Sequence, residues 1–289
     1  MAALVWDETG DKLYETGTDR GVLYPYDTAN KGYGNGVAWD GLRSFNESPS
    51  GAEETALYAN NDKYGSLRSA EQFDYTLGAY TSPVEFDECD GTVEIAKGAY
   101  ATQQNRKMFG FSVRTLVGND TEGTNFGYKI HFCYGSTAAP TSRDHSTTND
   151  SPEAEELSWE CKTTPVPVPG FKKCAHLVIR SWTISEEALA ALEAYIYGDA
   201  THDARLPLPA DVIRIIGEAD GDIVTDAFTG DGTTTEFTLT KAIDGEPIAV
   251  TVNGVAAAGY TSANGKVTFQ EAPAADAEIA VTYNVKKLG

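Results

Sequence analysis

Four stretches of the chain alternate apolar and polar residues with a period of two. In Gln72 to Tyr80, Phe73, Tyr75, Leu77 and Ala79 fall on one side and Gln72, Asp74, Thr76 and Gly78 on the other. In Met108 to Leu116, Phe109, Phe111, Val113 and Thr115 oppose Gly110, Ser112 and Arg114. Tyr128, Ile130, Phe132 and Tyr134 oppose Lys129, His131 and Cys133, and Leu157, Trp159 and Cys161 oppose Glu156, Ser158, Glu160 and Lys162. This period predicts strands with one buried and one wetted face, since successive side chains of a strand point to opposite sides of the sheet.

One helix is predicted after Thr183. A T-x-x-E pattern with Glu186 reads as a capping box, Leu189, Leu192 and Ile196 recur at helical spacing, and Gly198 is a natural stop. The apolar stripe is expected to cover the sheet. Asp27 to Gly36 and Pro140 to Pro152 are polar and turn-rich and predict loops. Thr164 to Gly170, with three alternating prolines, predicts an extended stretch outside any central strand, and Leu206 to Pro209 an extended arm leaving the helix.

Beyond Phe228 the composition shifts to Thr, Ala, Gly and Val. Short strands are predicted at Glu236 to Thr240, Ala249 to Val252, Lys266 to Phe269 and Glu278 to Tyr283, separated by Asp-Gly and Asn-Gly turns. The expected fold is mainly β, of α+β type: a β-sandwich flanked by one α-helix over residues 1–220, then a small C-terminal β-sandwich over 221–289, with the boundary near Gly217 to Ala227.

The chain of 289 residues carries 43 acidic and 22 basic residues, a formal net charge of −21. Such a balance disfavours phosphate binding, which draws on Lys and Arg; it suits solubility, or a surface past which DNA slides without adhering. No run of apolar residues is long enough to span a membrane, and the N-terminal residues lack a secretory pattern. Cys89, Cys133, Cys161 and Cys174 are far apart and read as free thiols.

Catalytic motifs are absent from the sequence. The four histidines form no HExxH and no i, i+4 pair, and no GxSxG, P-loop or GxGxxG occurs. His131 and His176 read as structural residues in strands, and His202, beside Asp199 and Asp203, as part of a solvated loop. Gly230 to Gly232 reads as a turn. Acidic pairs such as Glu53-Glu54, Glu155-Glu156 and Glu186-Glu187 carry no weight in so acidic a chain. No catalytic, metal or cofactor residue is assigned.

Several stretches resemble the major tail protein family of long, non-contractile phage tails, especially of phages of Gram-positive hosts. They are Trp6 to Tyr24 (WDETGDKLYETGTDRGVLY), Gly36 to Leu42 (GVAWDGL), Glu47 to Tyr58 (ESPSGAEETALY) and Gln103 to Gly135 (QQNRKMFGFSVRTLVGNDTEGTNFGYKIHFCYG). Asn149 to Pro152, Ser158 to Glu160, Thr163 to Val166 and Leu192 to Pro209 follow in order. The likeness spans roughly residues 1–210, and none of its pieces is a mechanistic motif. It implies a tail-tube fold forming hexameric rings, whose inner sheets join into a barrel and whose rings stack into a pipe for DNA. It further implies a virion protein made in the host cytoplasm, with no enzymatic role, whose partners are copies of itself, a tape-measure protein, a tail terminator and a distal tail protein. The C-terminal part is similar to immunoglobulin-like domains appended to phage proteins, which implies weak glycan contact; Tyr260, Phe269 and Tyr283 are read mainly as its core.

Strand alternation then nominates Asp74, Thr76, Ser112, Arg114, Glu156, Ser158 and Glu160 as lumen-facing, with a carboxylate neighbour required for Arg114. The loop Asn46 to Ala59 and the arm Leu4 to Tyr14 are expected at the subunit interface, with Leu4, Trp6, Leu13, Tyr14, Glu47, Pro49, Glu53, Leu57 and Tyr58 as its residues. The alternatives of another class are a carbohydrate-binding adhesin and a β-fold hydrolase.

Overall fold

The computed structural model describes residues 4–147, 150 and 154–285. Parts of the Pro140 to Pro152 loop, including Asn149, Ser151 and Pro152 of the quoted resemblance, lie outside the described residues. The chain is mainly β and clusters into two compact units, residues 1–184 with 193–210, and 185–192 with 211–289.

Two layers in the first unit are carried by seven of its strands: β1 (Tyr14–Asp27), β2 (Leu42–Glu47), β3 (Asp74–Ala79), β4 (Phe109–Asn119), β5 (Gly123–Ala138), β6 (Leu157–Lys162) and β7 (His176–Arg180), with shorter strands and ribbons beside them. All pair antiparallel. The long strand β5 belongs to two layers. Its first part, Lys129 to Cys133, pairs with β7 and β4, and β1 follows β4. Its last residues, Thr137 and Ala138, pair with β6, and β3 and β2 follow in turn.

The transfer happens at Gly135. Its φ is +58°, and a Cβ there would come within 2.6 Å of the Thr164 carbonyl oxygen. The β4 ladder jumps from Phe111↔Cys133 to Phe109↔Ser136, so the extra residue forms a bulge that re-aims the strand. The two layers close on one core. Leu23, Phe109, Phe111, Val113 and Cys133 come from one sheet; Tyr75, Leu77, Ala79, Trp159 and Cys161 come from the other. Trp39 meets Trp159, Phe111 and Phe86 edge-on or tilted, at 4.7–5.7 Å between ring centres. Cys89, Cys133 and Cys161 are buried, Cys174 is half-buried, and all four are free thiols.

The centre of the first sheet is buried on both faces, contrary to the expectation of a wetted polar face, while the start of β1 and much of β7 remain open. Gly110 and Ser112 of β4, and Phe132 and Tyr134 of β5, are buried beside the core-facing residues. Residues 193–210 cover that side: the Tyr24 hydroxyl donates to the Ile196 carbonyl at 3.0 Å and the Tyr134 hydroxyl to the Pro207 carbonyl at 2.9 Å. Gly110 leaves room for this cover, since a Cβ there would lie 2.2 Å from a Leu206 methyl.

Helix α1 (Glu186–Tyr197) forms where the apolar spacing places it, with Ala188, Leu192 and Ile196 buried one turn apart and Leu189 half-buried. Its cap differs from the expected box. Ser185 Oγ accepts the Ala188 N–H at 3.1 Å, while Thr183 Oγ1 turns back and donates to the Arg180 carbonyl. Residues 206–208 carry no regular secondary structure, with Leu206 and Pro207 buried, and Pro209, expected to end an extended arm, opens a further helix, α2 (Pro209–Ala219). Proline suits a first helical position, where its missing N–H has no intrahelical partner to lose.

In the second unit, after α2, seven strands among the described residues form two sheets: β8 (Ile223–Thr229), β9 (Glu236–Thr238), β10 (Ala249–Val252), β11 (Tyr260–Ala263), β12 (Lys266–Phe269), β13 (Glu278–Asn284) and the two-residue Val255–Ala256 that pairs with β10. Strands β8, β13 and β10 pair in one sheet, β9, β12 and β11 in the other. Phe237, Val250, Val267, Phe269, Ile279, Val281 and Tyr283 fill the space between them. The expected boundary stretch, Gly217 to Ala227, holds the end of α2, a turn and most of β8.

Candidate functional site

The second sheet of the first unit, ordered β2-β3-β6 and the end of β5, has one face in the core and one face open. Register fixes what the open face carries. Thr76 is opposite Glu160 on one side and Asn46 on the other; Gly78 is opposite Ser158 and Ser44; Asp74 is opposite Lys162. The core residues Tyr75 and Leu77 alternate with them, so these polar side chains share one face. Lys162 Nζ bonds Asp74 Oδ2 at 2.8 Å, and Arg43 pairs with Glu156 at its margin. The Glu160 carboxylate forms no close ion pair among the described residues and acts on Lys162 only at longer range. The face therefore presents three carboxylates, two of them paired with cations.

Five of the seven nominated lumen residues are gathered here: Asp74, Thr76, Glu156, Ser158 and Glu160. Ser112 and Arg114 belong to the other sheet. Ser112 is 1% exposed, and its hydroxyl shares a 3.2 Å hydrogen bond with Tyr24 beneath the 193–210 cover. Arg114 has the carboxylate it requires, in Asp19. Alternation along β4 separates its two faces but cannot show that Gly110 and Ser112 lie under a helix rather than under solvent.

The nominated interface residues are mostly exposed. Leu4, Trp6, Leu13, Tyr14, Leu57 and Tyr58 are large apolar side chains open to solvent, and Pro49 and Glu53 are exposed as well. The Asn46 to Ala59 stretch is no plain loop. Its last residues form the first arm of a ribbon, Glu54–Ala59 against Asp62–Arg68, which also exposes Tyr64 and Leu67. A short ladder of Ser50 and Gly51 against Gln72 and Glu71 lies beneath the ribbon.

Glu47 has a second relationship that sequence did not reveal. It ends β2 and points between the sheets, where His131 of β5 and His176 of β7 meet it. His131 Nδ1 lies 3.0 Å from His176 Nε2 and 3.4 Å from Glu47 Oε1, and His131 Nε2 shares a 2.9 Å hydrogen bond with Thr115 Oγ1. Phe73 stacks on the His176 ring at 4.1 Å. Burial lowers the His131 pKa to about 4 and the His176 pKa to about 3, with a smaller contribution from Lys129 at His131 and from the neighbouring His131 at His176. Both rings are therefore neutral near pH 7. Burial, and then Glu15, raise the Glu47 pKa, against the pull of Lys129. Two histidines and a carboxylate are a donor set that can hold a metal ion. The histidines are 45 residues apart, and only the pairing of β5 with β7 joins them, so no spacing rule could find the cluster.

In the second unit Phe269 and Tyr283 are buried and Tyr260 is packed against the same core, which gives the aromatic trio its structural role. No helix among the described residues is long and apolar enough to cross a membrane. Neither the protein-family models nor the curated proteins compared with this chain give a match.

Proposed function

We propose that the chain is a non-enzymatic tube-forming protein: the major tail protein of a long, non-contractile phage tail, whose copies join into hexameric rings that stack around a DNA channel. The observation that supports this reading best is the apolar ribbon. Leu57, Tyr58, Tyr64 and Leu67 are 39–80% exposed on two strands that have no core of their own. An isolated two-stranded ribbon is marginal in water, and clustered exposed apolar surface marks association. Copies that each carry a net charge of −21 repel one another, so apolar contacts of this kind must supply the attraction.

The open face of β2, β3 and β6 suits the channel. Edge-to-edge joining of this sheet between copies satisfies the free edge of β2 and turns the polar face into a continuous lining. A lining with a carboxylate excess gives DNA phosphates nothing to hold. In this reading the remaining partners are the tape-measure, tail terminator and distal tail proteins, and the second unit decorates the tube outside, touching glycans weakly.

Negative-stain microscopy and sedimentation of the full-length protein over a wide concentration range test the assembly. Rings or hollow filaments are expected, and Tyr58→Ser/Tyr64→Ser should abolish them while the circular dichroism spectrum is unchanged. A wild-type protein that stays monomeric at every concentration, or filaments indifferent to the double substitution, would count against the reading.

A further inference from the structure

We propose that Glu47, His131 and His176 bind one divalent transition-metal ion of the zinc class per chain, fastening the two sheets of the first unit together at the foot of the projecting ribbon. The chemistry of the three donors carries this, whatever the chain assembles into. His131 Nδ1 faces two electron-rich atoms at once, His176 Nε2 at 3.0 Å and Glu47 Oε1 at 3.4 Å. In either tautomer at most one proton serves the contact between the two rings, and the Glu47 carboxylate competes for it or goes without, whereas a cation among the three satisfies all of them together. Donors bound tetrahedrally to zinc at about 2.0–2.1 Å sit about 3.3 Å apart, and the two observed separations bracket that spacing. One donor atom from each residue lies within 4.8 Å of the other two.

Protonation state and surroundings suit the same ion. Imidazole binds metal only when neutral, and burial keeps both rings so. Thr115 takes the far nitrogen of His131, the orienting contact that a metal-bound histidine needs. Phe73, stacked on His176, restricts that ring. The ring planes are 8° from parallel with centres 5.2 Å apart, and ion binding replaces the N···N contact by two metal bonds. The Glu47 side chain is 43% exposed, which provides the way in and room for a water as fourth ligand. Glu47 belongs to the second sheet and both histidines to the first, so the ion bridges the layers. Ser48, the next residue, donates its N–H to the Asp74 carbonyl where the chain leaves for the ribbon.

The test uses full-length protein stripped with chelator, titrated with Zn²⁺ by calorimetry and with Co²⁺ by visible absorption. One site per chain is expected, with a cobalt spectrum of low coordination number. Glu47→Gln and His176→Gln should each weaken binding at least roughly tenfold, and Thr115→Val should weaken it by about tenfold through its effect on His131. Absence of saturable binding in the wild type overturns the proposal. So does an affinity unchanged in either ligand variant, which would move the ion to an exposed pair such as His145 and Glu155 or His202 and Asp199. Should His176→Gln not fold, Glu47→Gln decides alone, because its side chain is exposed and its removal opens no cavity.

Discussion

Arg114 grips Asp19 at two points, with Nε to Oδ1 at 2.7 Å and Nη2 to Oδ2 at 2.6 Å, while its guanidinium lies 4.7 Å from the centre of the Tyr128 ring. The pair links β4 to β1 on the sheet that 193–210 covers, and Tyr128 in turn donates to Glu193 at 2.7 Å. The Asp19 side chain is 41% exposed, so solvent screens the pair. Asp19→Ala is therefore expected to cost about 1 kcal/mol in urea unfolding. Arg114→Ala should cost more, since Tyr128 loses its packing partner as well. Equal losses would mean that the ring contact contributes nothing.

Two glycines separate backbone from side-chain constraint. At Gly135 a methyl group meets the Thr164 carbonyl, and φ is +58°, where only glycine is unstrained. Gly135→Ala is expected to destabilise by at least about 2 kcal/mol, because the point where β5 changes sheets cannot relax. At Gly78 a methyl group would meet the Ser44 hydroxyl and a Glu156 carboxylate oxygen, the ends of movable side chains on the open face. Gly78→Ala should cost under about 1 kcal/mol. Thermal unfolding of both variants measures the contrast.

The histidine pair makes stability depend on pH. Both folded-state pKa values lie below the ordinary 6.5, at about 4 and about 3. The unfolded chain therefore binds more protons than the native one at mildly acidic pH. The stabilisation is complete above about pH 6.5 and is lost as pH falls toward the folded values, each imidazole contributing up to about 1.4 kcal/mol per pH unit in that window. Glu47, with its pKa raised, acts in the opposite sense near the low end. In chelator-treated protein, His176→Gln should flatten the slope of unfolding free energy between pH 6 and pH 4.5 by about one proton. An unaltered slope would mean that His176 accepts its proton without unfolding.

Much of the fold was legible because period-two alternation is a direct image of the two faces of a strand: Tyr75, Leu77, Trp159 and Cys161 are core and Asp74, Thr76, Ser158 and Glu160 are not. What alternation cannot show is what lies against the second face. Ser112, small and polar, satisfies its hydroxyl on Tyr24 beneath the cover. His131 and Cys133, read as the polar side of β5, turn into the core, and the opposite set meets residues 193–210. Strand β1 escaped notice because Gly17, Gly21 and Pro25 interrupt its pattern, although bulged pairing with β4 holds it. Helix α2 was hidden by Pro209, which reads as a stop yet opens the helix. The Glu47 cluster had no local signal at all, since its three members come from three strands.

In the second unit Asp226 is the buried carboxylate among the described residues. Asp226, 7% exposed, accepts the Tyr283 hydroxyl at 2.8 Å and the Thr240 N–H at 2.6 Å. Tyr283→Phe removes a donor and leaves Asp226 short of a partner, so a loss of about 1–3 kcal/mol is expected in the unfolding of this unit. Asp226→Asn keeps the shape but turns an acceptor into a donor facing donors, and it should cost at least as much. Calorimetry that found Tyr283→Phe neutral would show that water replaces the hydroxyl.

The open face of β2, β3 and β6 makes a prediction about traffic through the proposed channel. Asp74 and Glu156 already sit beside Lys162 and Arg43, whereas Glu160 is close-paired with no cation among the described residues and reaches Lys162 only at longer range. Glu160 thus supplies the excess negative charge of the lining, and in a ring it recurs once per copy. Glu160→Lys shifts each copy by two charges and, with six copies per ring in the proposed assembly, creates a belt of ammonium groups along a phosphate path. DNA should then adhere. Retention of duplex DNA by assembled tubes is expected to rise at low salt and to fall steeply as salt increases, because the gain comes from counterion release. Monomer stability should change by no more than about 0.5 kcal/mol, since Glu160 is an exposed strand residue. Glu122→Lys, at an exposed turn off this sheet, serves as the control of equal charge change. If both variants bind DNA alike, the effect is one of net charge and the face of β2, β3 and β6 is not the lining; if only Glu160→Lys does, the open face and the DNA path are the same surface.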